Sequence, residues 1–230
     1  ELMRYRGMVD SALDEALTLP AEASDTDRQI NEILRYAVIG GGKRLRGILT
    51  LAFRERIAKG QVRDAIPLAV AIEFLHAYTL IHDDLPCMDN DDFRRGKPSV
   101  HKAFGEWQAL LAGDALQALA FKFAAVPGEA RYTAILARAA FDVCAGQYMD
   151  LQNNADRSLL IRNKTGALFA AACLFGCDTP DAEDYGYKFG LTFQVRDDIL
   201  DGDSLEAPVE IARPEIEDKF LSDLYNSIEP

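Results

Sequence analysis

The chain has 230 residues, 49% of them hydrophobic and 27% charged, enough for a buried core and too apolar for a disordered chain. A formal charge of −12 argues against nucleic acid or an anionic membrane as a partner, and no uninterrupted apolar run approaches the roughly 20 residues that span a bilayer. No basic start followed by an apolar stretch reads as a secretion signal, so the cytoplasm is the expected location.

The first signal along the chain is Gly40-Gly41-Gly42-Lys43-Arg44-Leu45-Arg46. Its spacing rejects a P-loop, because Ala37 stands where glycine is needed and Arg44 where serine or threonine is needed. What remains is a glycine turn bringing Lys43 and Arg46 together, as a diphosphate clamp or as a basic turn capping a helix. A helix is predicted over 65–82, carrying His76 two turns before Asp83 on one face. That histidine is either a satisfied core residue or a functional one.

The helix runs into Asp83, Asp84, Asp89, Asp91 and Asp92. Carboxylates this close repel one another, and a hard divalent cation such as Mg²⁺ would offset the repulsion; an acidic, solvated helix end is the alternative. An EF-hand begun at Asp89 fails, since Phe93 and Arg94 occupy the positions of a ligand and the required glycine. Arg94-Arg95-Gly96-Lys97-Pro98 follows, either as surface counter-charges or as phosphate ligands.

Further helices are predicted over 108–124, 132–151, 164–175 and 185–201, punctuated by Pro127-Gly128 and Thr179-Pro180. Lys164-Thr165-Gly166 would put a lysine at a helix start, where a phosphate is favoured. In the last of these helices Gln194, Asp197, Asp198 and Asp201 fall at i, i+3, i+4 and i+7, a polar stripe lining either a cavity or solvent. Leu191, Val195, Ile199 and Leu200 supply its apolar part. Beyond Ser204 the chain is polar except for an apolar patch near 220–225. Cys87, Cys144, Cys173 and Cys177 form no CxxC pair, so they read as small buried hydrophobes rather than as a zinc site or disulfide framework. The pattern as a whole is all-α, in one domain over 1–230.

Together these motifs resemble the trans-prenyltransferase family, the short-chain polyprenyl diphosphate synthases. The resemblance runs from about residue 33 to residue 201. It comprises GGKRLR (41–46), DDxxxxD (83–89) with its RRGKP, LAGDAL (111–116), GQYMDL (146–151), KTGAL (164–168) and FQVRDDILD (193–201). It implies an isoprenoid-synthase-type bundle of antiparallel helices around a central cavity, usually a homodimer. By the same resemblance Asp83 and Asp89 would hold two Mg²⁺ ions against an allylic diphosphate, and Asp197 a third. Arg94, Lys164, Thr165 and Gln194 would bind that diphosphate, while Lys43, Arg46, His76 and Arg95 would bind isopentenyl diphosphate. Asp83, Asp89, Lys164 and Asp197 are then the catalytic set.

The implied reaction joins isopentenyl diphosphate to dimethylallyl or geranyl diphosphate after metal-assisted ionisation of the allylic partner. Tyr78 lies five residues before Asp83, about 7.5 Å deeper along the helix. It would floor the cavity, with Thr79 too small to do so. Together with the two-residue insertion in the first motif, Tyr78 resembles the bacterial farnesyl type, so a C15 product is expected, with geranyl or geranylgeranyl diphosphate as alternatives. A class I terpene cyclase would lack the isopentenyl set, and a non-catalytic subunit would be expected to lose an aspartate motif. The family normally continues with a lysine-bearing segment where this chain has Gly202-Asp203-Ser204-Leu205, and the connection from Leu151 to Lys164 is short. Mobile loops are therefore expected to be missing from this sequence.

Overall fold

Ser24 starts a helix by exchanging hydrogen bonds with Asp27. Its hydroxyl accepts from the Asp27 amide at 3.1 Å, and the Asp27 carboxylate accepts from the Ser24 amide at 3.0 Å. Such reciprocal caps satisfy donors that a helix start otherwise leaves open. A computed structural model describes residues 1–39, 41–152, 156–201 and 213–228. Gly40, part of the stretch after Leu151, the Asp201 side chain and Gly202-Asp203-Ser204-Leu205 lie outside the described residues. Two compact units emerge, Glu1–Ile48 with Ile66–Ala130, and Leu49–Ala65 with Arg131–Pro230.

In the first unit, α1 (Leu2–Ala16) buries Tyr5, Val9 and Leu13, spaced by four so that one face is apolar. The capped helix is α2 (Asp25–Val38). Gly41 and Gly42, at φ of 137° and 111°, turn the chain into α3 (Leu45–Ala52), and α4 (Val62–Asp83) contains the predicted 65–82. Phe93–Arg94 (β1) and Lys97–Pro98 (β2) pair antiparallel, with Phe93 opposite Pro98. Arg95 and Gly96 form the turn, at φ of 55° and 75°, the left-handed pair that a tight hairpin requires. Periodicity gave no sign of this hairpin, because two residues per strand are too few to alternate. Then come α5 (Val100–Phe104) and α6 (Glu106–Ala124). The inner stripe of α6 is Ala109, Ala112, Gly113, Leu116, Ala120 and Ala124, small residues that let neighbouring helices approach.

In the second unit, Phe53–Ile57 forms a π-helical turn, followed by α7 (Ala130–Leu151) and α8 (Arg157–Ile161). A second π turn, Arg162–Gly166, leads into α9 (Ala167–Gly176) and α10 (Pro180–Asp201). Helix α9 is almost wholly buried. It lies close along α10, since a Cβ on Gly186 would come within 2.4 Å of Ala170 Cα. The patch near 220–225 is α11 (Lys219–Asn226), capped by Asp218. Tyr185 stacks among Phe53, Phe189 and Tyr225 at 5.1, 5.9 and 6.1 Å between ring centres. Its hydroxyl donates to Leu221 O at 2.8 Å, a partner that a buried phenol needs. Burial pushes that phenol far above its usual pKa.

One expectation needs correction. Only Cys173 is a buried cysteine; Cys87 and Cys144 are exposed and Cys177 is half-buried. Cys177 sits past the end of α9 in extended backbone. By length and composition Val62–Asp83 and Arg157–Gly176 could each cross a bilayer. More than half of each apolar window is buried within the protein, 56% and 67%, and both helices supply its core.

Candidate active site

In the first unit the sequence motifs converge on the C-terminal end of α4. Backbone bonds from Asp89 N to Asp83 O at 2.9 Å and from Asn90 N to Leu85 O at 3.1 Å wind the chain back on itself. The turn keeps Asp83 and Asp89 beside each other although six positions separate them. Next to it lies a cavity open to solvent, lined by His76, Asp84, Arg94, Arg95 and Lys97 among others. His76 is held well below its usual pKa, first by burial and then by Arg46, Arg95, Arg44 and Arg94. It is therefore a neutral group in a cationic pocket.

Arg94 does not project freely into that space. Its Nε lies 3.0 Å from Asp84 Oδ1, its Nη2 bonds the same oxygen, and Nη2 also reaches Asp91 Oδ2 at 3.3 Å. Asp84 is 2% exposed. Burial raises its carboxyl pKa, while the bond from Arg94 works in the opposite direction. Arg95 donates to Gly41 O at 3.0 Å. A Cβ on Gly42 would sit 3.0 Å from the Arg95 guanidinium, so the glycine turn and the basic hairpin form one surface. Lys43 is exposed and Arg46 half-buried. Tyr78 packs edge-on against His82 at 4.7 Å, and Thr79 bonds back to His76 O at 2.8 Å.

His82 and Gly113 explain why the LAGDAL motif needs its glycine. His82 Nε2 bonds Leu110 O at 3.0 Å, and a Cβ on Gly113 would fall 2.1 Å from that nitrogen. The residue next to Asp83 is thus seated in a notch on α6.

In the second unit Lys164 and Thr165 lie in the π turn between α8 and α9, not at a helix start, so the macrodipole argument for a phosphate there does not hold. The π turn instead shifts the helical register and aims these side chains, a common device at functional sites. Lys164 Nζ lies 2.5 Å from Asp150 Oδ2, and a Cβ on Gly146 would meet the Lys164 backbone at 2.4 Å. The GQYMDL motif is therefore the seat of Lys164. Thr165 Oγ1 donates to Gln194 Oε1 at 2.8 Å, Gln194 Nε2 donates to Asp198 Oδ1 at 2.9 Å, and Arg157 Nη2 reaches Asp198 Oδ2 at 2.7 Å. Of the polar stripe, Asp198 is buried and Asp197 half-buried. The apolar half is corrected: Val195 is buried, but Ile199 and Leu200 are 45% and 70% exposed.

Asp84, Asp150 and Asp198 were not assigned from sequence, although each stood inside a quoted motif. Motif membership marked them, but only the fold supplied their partners. Among the described residues no three His, Cys, Asp or Glu side chains converge as a metal-ligand group. Mg²⁺ nevertheless suits Asp83 and Asp89, because it takes one or two carboxylates and completes its shell with water and substrate phosphate.

The polyprenyl synthetase family model matches residues 27–214. The chain is 36% identical over 222 residues to a farnesyl diphosphate synthase of Geobacillus stearothermophilus, covering 86% of this chain and 74% of that one. It is 42% identical over 197 residues to a geranylgeranyl diphosphate synthase of Cyanophora paradoxa, covering 75% and 65%. The chain thus spans about three quarters of the first relative and just under two thirds of the second. A crystal structure of an isoprenoid synthase family member from Thermotoga neapolitana superposes with a TM-score of 0.76 at 31% identity, covering 98% of this chain and 90% of that one. The fold is that helical bundle. With a family match across most of the sequence and its motifs gathered as described, the chain belongs to the polyprenyl synthetase family.

Proposed function

We propose that the chain is a prenyltransferase that condenses isopentenyl diphosphate with an allylic diphosphate. The observation carrying this reading is the cation-lined cavity that reaches Asp84, next to Asp83 at the end of α4. A cyclase handles one diphosphate. In this reading Lys43, Arg46, His76 and Arg95 serve isopentenyl diphosphate, while Arg94 and, from the second unit, Lys164, Thr165 and Gln194 serve the allylic diphosphate.

In this reading Asp83 and Asp89 in the first unit and Asp197 in the second would hold Mg²⁺, about three ions in all, which would supply charge neutralisation for a leaving diphosphate. The chain's own cations stabilise the same developing charge and orient the two substrates. Neutral His76 donates a hydrogen bond without adding a charge. Ala77, Leu80 and Ile81 of α4 give the cavity an apolar side, which would help exclude water from a reactive allylic cation. No protein nucleophile is needed. The test is incubation with Mg²⁺, isopentenyl diphosphate and each allylic primer, with products resolved by length; absence of any elongated product would refute the reading.

For product length, geranylgeranyl diphosphate is supported by five relatives that carry that name. Tyr78, five residues before Asp83 on α4, supports the C15 alternative. A homodimer is proposed as well. Phe141, Cys144, Tyr148 and Leu151 are exposed at i, i+3, i+7 and i+10 of α7, the seam that packs one helix on another. Size-exclusion chromatography with light scattering should give a dimer mass, and Phe141→Glu with Tyr148→Glu should shift it to monomer. Nothing in the chain asks for a nucleic-acid partner, and the cytoplasm is the proposed location.

A further inference from the structure

Resting on that reading, we propose that Arg44 is the positioning residue of the isopentenyl diphosphate site. It binds no substrate but fixes the directions of Lys43 and Arg46 through a buried partnership with Glu73. Sequence alone places Arg44 among three basic residues of one turn, with nothing to separate its role from theirs. The structure separates them.

Arg44 is 7% exposed, whereas Lys43 beside it is exposed. Its backbone has φ of 55°, a left-handed conformation uncommon for a bulky side chain, which persists where surrounding contacts fix it. Those contacts come from three helices. Arg44 Nε donates to Asp10 Oδ1 on α1 at 2.8 Å, Nη2 donates to Val38 O at the end of α2 at 2.7 Å, and Nη1 lies 3.8 Å from Glu73 Oε2 on α4. Two of its five N–H groups make these hydrogen bonds and a third nitrogen faces Glu73.

Glu73 closes the arrangement. It is 5% exposed, and its other oxygen, Oε1, accepts from Gly47 N at 2.9 Å. Gly47 itself is wedged in place, since a Cβ there would lie 2.9 Å from Val9 Cγ2. One buried carboxylate therefore fixes both ends of the segment from Arg44 to Gly47, with Arg46 between them and Lys43 immediately before. Glu73 lies one helical turn before His76, so the turn is registered against the same helix that carries His76 and Asp83. Lysine cannot replace this arginine without loss, because a single ammonium lacks the planar fork that serves separate acceptors.

The test is isothermal titration of metal-free protein with isopentenyl diphosphate, together with steady-state kinetics. Arg44→Lys keeps the charge, and Asp10→Asn weakens one exposed contact should the first variant fold poorly. We expect affinity for isopentenyl diphosphate to fall about tenfold or more in Arg44→Lys, as small misplacements of binding groups do. Asp10→Asn should fall less. The KM for the allylic diphosphate and kcat at saturating isopentenyl diphosphate should stay within about twofold, a split that general structural damage would not give. Wild-type binding with unchanged affinity in both variants overturns the inference alone. Loss of kcat and both KM values together reduces Arg44 to a structural residue and also overturns it. A wild-type protein that binds no isopentenyl diphosphate overturns the proposed function, and this inference with it.

Discussion

Arg94 rests on the buried carboxylate of Asp84, its Nε 3.0 Å from Oδ1. Asp84 stands next to Asp83, yet the two have different surroundings: Asp84 is buried and paired, and Asp83 is half-buried at the rim of the turn. Removing the carboxylate in Asp84→Ala would strand a guanidinium that is itself only 35% exposed. The unfolding free energy should drop by about 2 kcal/mol, the scale of a lost charge-assisted bond, as read by urea denaturation. The KM for the allylic diphosphate should rise with it.

His76 predicts a pH dependence. Its pKa in the fold lies well below the ordinary value of 6.5, so at neutral pH it is uncharged in both folded and unfolded states. As pH falls through about 6.5 the unfolded chain takes up the proton first. Stability should therefore decline below that pH and stop declining once the depressed native value is passed. In His76→Gln this part of the slope should vanish, as measured by denaturation between pH 4.5 and 7.5 (roughly the range over which histidine titrates).

Gly113→Ala should be costly for a helical alanine, which ordinarily favours helix. The added carbon would meet His82 Nε2 at 2.1 Å, expelling the imidazole from its bond to Leu110 O. A loss of about 1–3 kcal/mol is expected from overpacking. Because His82 adjoins Asp83, the Mg²⁺ concentration for half-maximal activity should also rise. An unchanged Mg²⁺ requirement would separate the notch from the aspartate site.

Tyr78→Ala tests the product floor. If Tyr78 limits chain length, the variant should release longer prenyl diphosphates than the parent, resolved by chromatography of the dephosphorylated alcohols. Identical product profiles would move the floor elsewhere in the cavity.

Much of this protein was legible in one dimension, for reasons that differ from element to element. The long helices announce themselves because alanine and leucine recur at helical spacing over many turns. The β1–β2 hairpin was invisible, since its determinant is the left-handed pair Arg95 and Gly96 and not any periodicity. Lys164 was misplaced at a helix start because a π turn keeps the composition of a helix while changing its register. Ile199 and Leu200 read as core because hydrophobicity records a preference for burial and not the presence of a neighbour.

The family's glycine turn, aspartate clusters and basic hairpin, and hence the chemistry they point to, were determined by sequence alone, because each motif is local and its residue types are demanded by phosphate and hard cations. What each charge does was decided by tertiary structure. Asp83, Asp84 and Asp89 are chemically identical, as nearly are Lys43, Arg44 and Arg46. Burial and partners from distant helices separate them. Asp84 and Arg44 become supports because the low-dielectric interior accepts a charge only when it is paired, and the fold brings the partners in, Arg94 of the hairpin to Asp84 and Asp10 and Glu73 of other helices to Arg44.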